Sequence, residues 1–142
     1  MAFTGNYTCN SFKQQLFEGD FDFSSGTTQT FKIALYTNDA TLDQTTTAYT
    51  TTGQVVATGY TAGGEAITPS LAIDSSTGVA YIDFSNASWS GAFTARGALI
   101  YRVTTGNPAI CVLDFGSDKT STTTFQVEFP PNTSTTSLIR LS

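Results

Sequence analysis

The chain has 142 residues, a net charge of −5, six basic residues scattered along its length, and no histidine. A chain of about 150 residues buries roughly two-thirds of its unfolded surface, so one domain with a real core is expected. The lack of a basic stripe argues against nucleic-acid and anionic membrane partners, and the lack of imidazole removes Ser-His-Asp and Cys-His nucleophilic systems and histidine-containing metal sites.

Charged residues make up 12% of the chain, half the usual share of about 25%, and Thr and Ser take their place. Hydroxyl-rich surfaces suit an extracellular or particle-surface protein. Thr is also β-branched and common in any β-protein, so both readings stand. No apolar run approaches the roughly 20 residues of a membrane span. The N-terminus MAFTGNYTCNSF has neither a basic region nor an apolar core of the signal-peptide kind, so synthesis and folding in a cytoplasm are expected. The two cysteines, Cys9 and Cys111, then read as free thiols, with Cys111 in an apolar run.

Residues 1–8 have no period and read as an arm in which Phe3 and Tyr7 dock on a partner or on the body; residues 9–142 read as a single domain. One short helix is predicted over Asn10–Glu18. Cys9, Phe12, Leu16 and Phe17 would form its buried face, Asn10 or Ser11 its cap, and Gly19 its stop. Phe21 and Phe23 then alternate with Asp20 and Asp22. Thr30–Thr37 reads as a strand with Phe31, Ile33 and Leu35 on one face. Residues 38–52 form a long Thr-rich loop with Leu42, Ala48 and Tyr49 as anchors. Loops of this length are often functional, and a solvated connection with a short strand near Tyr49 is an equal reading.

A short strand over Gln54–Thr58 precedes the turn Gly59-Tyr60-Thr61-Ala62-Gly63-Gly64, whose glycines suit positive φ or a bulge. Glu65–Asp74 alternates weakly, and Pro69 marks an edge strand or a break. Asp74–Gly78 is a turn. Ala80, Ile82 and Phe84 oppose Tyr81 and Asp83 on the next strand. Ser85–Gly91 reads as a connection carrying the only Trp, Trp89. Phe93–Val103 is apolar on both faces and reads as a central strand. Further strands are predicted at 109–115, 124–129 and 137–141. About eight strands with regular turn signals indicate an all-β, jelly-roll-like antiparallel β-sandwich.

Catalytic candidates are few. Cys9 lacks a base and reads as a core residue. Glu18, Asp20, Asp22, Asp83 and Asp114 offer carboxylate pairs only if the fold brings two across a cleft. Asp20, Asp22 or Asp74 could join a calcium site, but no EF-hand spacing is present. Asp114-Phe115-Gly116 matches a kinase triplet without any of its partner motifs. Asn6, Asn86 and Asn132 head glycosylation sequons of the kind a Thr- and Ser-rich chain contains by chance. No cofactor and no catalytic activity are expected.

The phrases WSGAFTARGALIYR, ICVLDFGSDKTS and FQVEFP, preceded by SFKQQLFEGDFDF, TFKIALYTNDATL and GYTAGGEAIT, cover nearly the whole chain. In this order they resemble a group of small structural proteins of tailed bacteriophages. The resemblance implies a virion structural protein made in the host bacterial cytoplasm. Its expected role is a capsid cement or decoration protein that bridges capsomers on the head surface. The implied partners are the major capsid protein and further copies of the chain as a dimer or trimer. A tail-associated adaptor or carbohydrate-binding adhesin is the alternative. The contact residues expected on this basis are Phe3, Tyr7, Leu42, Tyr49 and Tyr60, with Trp89 as the platform for a glycan in the alternative.

Overall fold

A computed structural model of the protein describes residues 3–142. Its organising element is the strand over Thr94–Val103, whose two faces are both buried from Ala95 to Tyr101 except at Arg96. It is the central strand of a five-stranded sheet. In chain order the elements are β1 (Tyr7–Thr8), α1 (Asn10–Glu18), β2 (Thr30–Tyr36), β3 (Glu65–Ile67), β4 (Pro69–Asp74), β5 (Val79–Phe84), β6 (Ala87–Ser90), β7 (Thr94–Val103), β8 (Ala109–Thr120), β9 (Thr124–Val127) and β10 (Ile139–Leu141). The large sheet runs β1-β8-β7-β2-β3, a second runs β10-β5-β4, and β6 pairs with β9. Every pairing is antiparallel. The fold is therefore all-β with one short helix. Ten strands are described where the turn spacing suggested about eight; the extra ones are short segments of two to four residues.

Aromatic residues join the layers. Phe23 stacks on Phe31 of β2 with ring centroids 5.0 Å apart and meets Phe84 of β5 edge-on at 6.0 Å. Phe12 of α1 packs on Phe21 at 4.8 Å. A second group links β6 and β9 to the body: Trp89 lies 6.2 Å from Phe125, and Phe93 stacks on Phe125 at 5.2 Å. Each such pair adds about 0.5–1.5 kcal/mol beyond the area it buries.

Helix α1 has no side-chain N-cap. Cys9, and not Asn10 or Ser11, occupies the cap position, and its N–H bonds the carbonyl of Ile110 at 2.9 Å. The C-terminus ends as glycine dictates: Gly19 is left-handed at φ 86°, its N–H reaches Leu16 O, and the N–H of Asp20 reaches Gln15 O. The predicted helix face needs one correction. Cys9 and Phe12 are buried and Leu16 is half-buried, but Phe17 is 88% exposed because it lies a further 100° around the helix.

Residues 85–91 are not a plain connection. Ala87–Ser90 is strand β6, and its inward positions are Ala87 and Trp89. The strand expected over Gln54–Thr58 reduces to a single bridge between Tyr36 and Gln54, and the one expected near Tyr49 to a bridge between Ala48 and Pro108. Pro69 does open an edge strand, since among the described residues β4 pairs with β5 alone. The proline therefore removes no ladder bond.

Candidate functional site

The residues expected to make contacts are mostly built into the body. Phe3 is 1% exposed, with the Arg96 guanidinium 5.8 Å from its ring centre. Its ring fills the space over Gly97, where a Cβ would lie 2.4 Å from the Phe3 ring. Tyr7 pairs with Val112 through β1, and Asn6 accepts a hydrogen bond from the Asp114 N–H at 2.6 Å. The arm from residue 3 onward is thus tied to the body, Tyr7–Thr8 as an edge strand of the large sheet and Phe3 and Asn6 by packing and a hydrogen bond, and is not free to reach a partner. Met1 and Ala2, which the arm expectation also included, lie outside the described residues.

Leu42 and Tyr60 are buried, and Tyr49 is half-buried. Tyr60 and Gln54 explain why. Strand β3 ends at Ile67, opposite Phe31, and its partner register on β2 stops at Ile33. On its β3 side the backbone of Leu35 is left without a strand partner, while β7 flanks its other side. The Tyr60 hydroxyl accepts the Leu35 N–H at 2.9 Å, and the Val55 N–H reaches the Leu35 carbonyl at 3.0 Å. Tyr60 then donates to Gln54 Oε1 at 2.9 Å, which also takes the Gly63 N–H at 2.8 Å. Gln54 Nε2 donates to the Tyr49 hydroxyl at 3.0 Å, and Tyr49 stacks on Tyr101 at 4.7 Å. The Thr loop and glycine turn are held down by this network, because a buried unpaired amide costs about 1–3 kcal/mol.

Trp89 is 2% exposed, tilted against Tyr60 with centroids 6.0 Å apart, and packed on Phe125. It presents no face to solvent and cannot act as the glycan platform. The correction follows from its place on an inward position of β6 and not in a loop.

The carboxylates serve turns. Asp22 Oδ1 accepts from the N–H and hydroxyl of Ser24, Asp43 Oδ1 from those of Thr45, and Asp74 Oδ1 from those of Ser76. All three are Asp-x-Ser/Thr turns in which the side chain mimics a backbone acceptor. These hydrogen bonds, the hydroxyl donor first, hold each carboxyl below its ordinary range. Asp114 is partly desolvated, which raises its pKa, but the Gly116 N–H and the paired Arg96 outweigh this and lower it. The Asp-Phe-Gly triplet lies within strand β8, where its register against β7 shifts. Burial pushes the Cys9 thiol up to about 11 and raises that of Cys111 further, so neither is a ready thiolate. Among the described residues no group of three or more His, Cys, Asp or Glu side chains is placed to hold a metal ion.

Asp83 differs from the other acids. It is 3% exposed, its Oδ1 accepts the Phe84 N–H at 3.0 Å, and its Oδ2 has no partner among the described residues. Desolvation raises its pKa. A carboxyl raised in the folded state binds its proton more tightly there. It therefore leaves the fold most stable below its unfolded pKa and weaker once pH passes the folded value. Asp83→Asn is expected to raise the melting temperature at pH 7 and to have a vanishing effect below about pH 4. Thermal melts of both proteins at the two pH values check this; equal gains at both would mean that charge burial is not the cause.

What the fold leaves open is an apolar groove of about 290 Å³ between α1 and the three-stranded sheet. Phe12, Leu16 and Phe21 line one wall; Leu71, Ile82 and Leu141 line the other. The register explains the second wall: Leu71 faces Ile82, Ile73 faces Ala80, and Ile139 and Leu141 face the same two β5 residues from β10. Ile82 reaches the core, but Leu71 is 52%, Ile73 66% and Leu141 58% exposed. Monomeric proteins rarely expose adjoining aliphatic side chains to this degree without use for them. Sequence alternation marks Leu71 and Ile73 as one face, yet it cannot show that α1 stops short of covering them.

No helix among the described residues is long and apolar enough to cross a membrane. Comparison with protein-family models, curated proteins and solved structures finds no match to this chain.

Proposed function

We propose that the chain is a non-catalytic structural protein of a tailed-phage virion, acting as a cement or decoration protein that binds the major capsid protein on the head surface. In this reading its three sheets form a jelly-roll-like sandwich that serves as a rigid spacer. Two things support it. The first is the resemblance of the six phrases quoted above. The second, which carries the reading, is that the fold consumes its chemistry-bearing residues in turns and core while leaving an apolar groove exposed beside an unpaired sheet edge. That is the surface of a protein that works by docking.

The mechanism needs no chemistry. A protein that binds the assembled shell better than its dissociated capsomers stabilises the shell by mass action. Modest contacts repeated over a lattice add up to avidity without one tight site. The contacts now fall to the groove and its rim, since the arm and the Thr loop are committed to the fold. The tail-adaptor alternative uses the same surface. The glycan alternative loses its platform with the burial of Trp89.

Mixing purified protein with heads lacking it tests the reading. The wild-type chain is expected to sediment with heads and to raise the temperature at which they release DNA. Leu141→Asp, placed on the exposed rim, should reduce both effects about tenfold or more while the isolated protein keeps its melting temperature. Binding to tails but not heads would transfer the reading to the adaptor; binding to neither would sink it.

A further inference from the structure

Strand β4 offers more than an apolar face. Its β5 side is defined by the pairs Ser70 with Asp83, Leu71 with Ile82, Ala72 with Tyr81 and Ile73 with Ala80. The same register carried back one residue places Thr68 opposite Ser85, and the Ser85 N–H does bond the Thr68 carbonyl at 2.9 Å. Peptide groups of an antiparallel strand point to alternate sides. Positions 68, 70, 72 and 74 therefore bond β5, and positions 69, 71 and 73 point their peptide groups to the open edge. Pro69 has no N–H to offer, so the free donors are those of Leu71 and Ile73. Both side chains stand exposed on one face, Leu71 lining the groove and Ile73 next to it.

Natural edge strands are usually blunted by charge, proline or a bulge. Between Pro69 and Asp74 this one has none: Ser70, Leu71, Ala72 and Ile73 carry no charge, and the β4–β5 register runs without a shift. We infer that β4 is a self-association edge, and that a second copy of this chain pairs with it antiparallel about a two-fold axis at Ala72.

The register follows from the strand. A two-fold axis perpendicular to the sheet keeps the apolar faces on one side only if paired residues have the same parity. Centring on Ala72 sets Leu71 opposite Ile73 of the partner subunit and the reverse. Each of these pairs joins residues with outward peptide groups, giving four N–H···O=C bonds and a continuous row of aliphatic side chains along the groove. Ser70 falls opposite the partner's Asp74 on the other face. The two Asp74 carboxylates end up on the order of 14 Å apart, beyond the screening length at physiological salt. The exposed parts of Leu71 and Ile73 amount to on the order of 200 Å² per copy, and the strand edges roughly double this. That is the small end of specific interfaces, so a dimer with a Kd of about micromolar strength is expected. The inference stands on the β4 edge and not on the virion reading: a dimer that ignores phage heads leaves it intact, and a head-binding monomer would overturn it alone.

Sedimentation equilibrium of the full chain over about 1–500 μM tests it. The wild type is expected to pass from monomer to dimer. Leu71→Lys with Ile73→Lys should weaken the dimer about 100-fold or more while leaving the far-ultraviolet circular dichroism unchanged, because both side chains are more than half exposed. Ala72 gives a second, independent check. At the axis it forms a non-hydrogen-bonded pair with its copy, with Cα atoms about 4.5 Å apart, within disulfide range. Oxidised Ala72→Cys should run as a covalent dimer, and Ser88→Cys, exposed on β6, should not. A monomer throughout the range, a dimer unaffected by the two lysines, or equal cross-linking of both cysteine variants would each overturn the proposal.

Discussion

Gly64→Ala is expected to cost about 4 kcal/mol or more, and to lower the melting temperature by about 15 °C. Gly64 has φ 85°, and a Cβ built there would lie 1.8 Å from the carbonyl oxygen of Ile33 and 2.8 Å from Ala34 Cα. Those atoms belong to β2, which is held between β7 and β3 and cannot retreat. The turn itself is closed by the Gly64 N–H to Thr61 O at 2.9 Å, so it cannot swing away without releasing the Gln54 network. Gly78 provides the control. Its φ of 74° is similar, but no atom lies within 4 Å of the added Cβ. Gly78→Ala should therefore show only the backbone penalty of about 1–2 kcal/mol. Denaturant melts of the two variants separate close approach from positive φ. Equal losses would mean that φ alone sets the cost at Gly64.

Removing the arm is expected to be as damaging. Phe3→Ala alone should cost about 3–5 kcal/mol, the range for a buried phenylalanine whose space nothing else can fill. Gly97 has no side chain to offer, and Arg96 is held by Asp114. Deleting residues 1–8 also strips β1 from β8 and takes away the Asn6 acceptor of the Asp114 N–H. The deleted chain should fold poorly at 37 °C, and Cys111, now covered by Thr8 across the β1–β8 pair, should become reactive to thiol reagents. A deletion that melts like the full chain, with Cys111 still protected, would mean that the arm only rests on the sheet.

The two variants show where the sequence is legible. Alternation around Phe93–Val103 is enough to identify the central strand, because both of its faces are apolar. Clustered glycines at 59, 63 and 64 mark positive φ, and all three have it. The helix stop at Gly19 and the edge at Pro69 are equally plain, since each follows from backbone constraints local to one residue. Long-range placement is not local. Nothing near Phe3 says that its ring sits over Gly97, ninety-four residues further along the chain. Trp89 sits between serines in SWS, which reads as a turn but is a short strand with one inward residue.

The surface is less legible in the sequence than the core. Aromatic residues in loops suggested contacts at Tyr49 and Tyr60. Both instead complete the edge of β2 where β3 runs out, an arrangement set by strand lengths that pattern alone does not give. The groove depends on the reverse effect. A nine-residue helix spans about 13 Å and leaves part of the β4–β5–β10 face uncovered. Alternation at Leu71 and Ile73 shows which way the side chains point but not what lies over them. One usable signal was the uncharged run between Pro69 and Asp74, since edge strands with no charge are rarely left without a partner.

The most direct measurement is the position of the protein in a sedimentation gradient of purified phage particles separated into heads and tails, followed by an antibody to this chain. The expected result is that it travels with heads, and that heads carrying it outlast heads without it on heating. Finding it in the tail fraction alone, or only in the soluble lysate and never with particles, would contradict a role on the capsid.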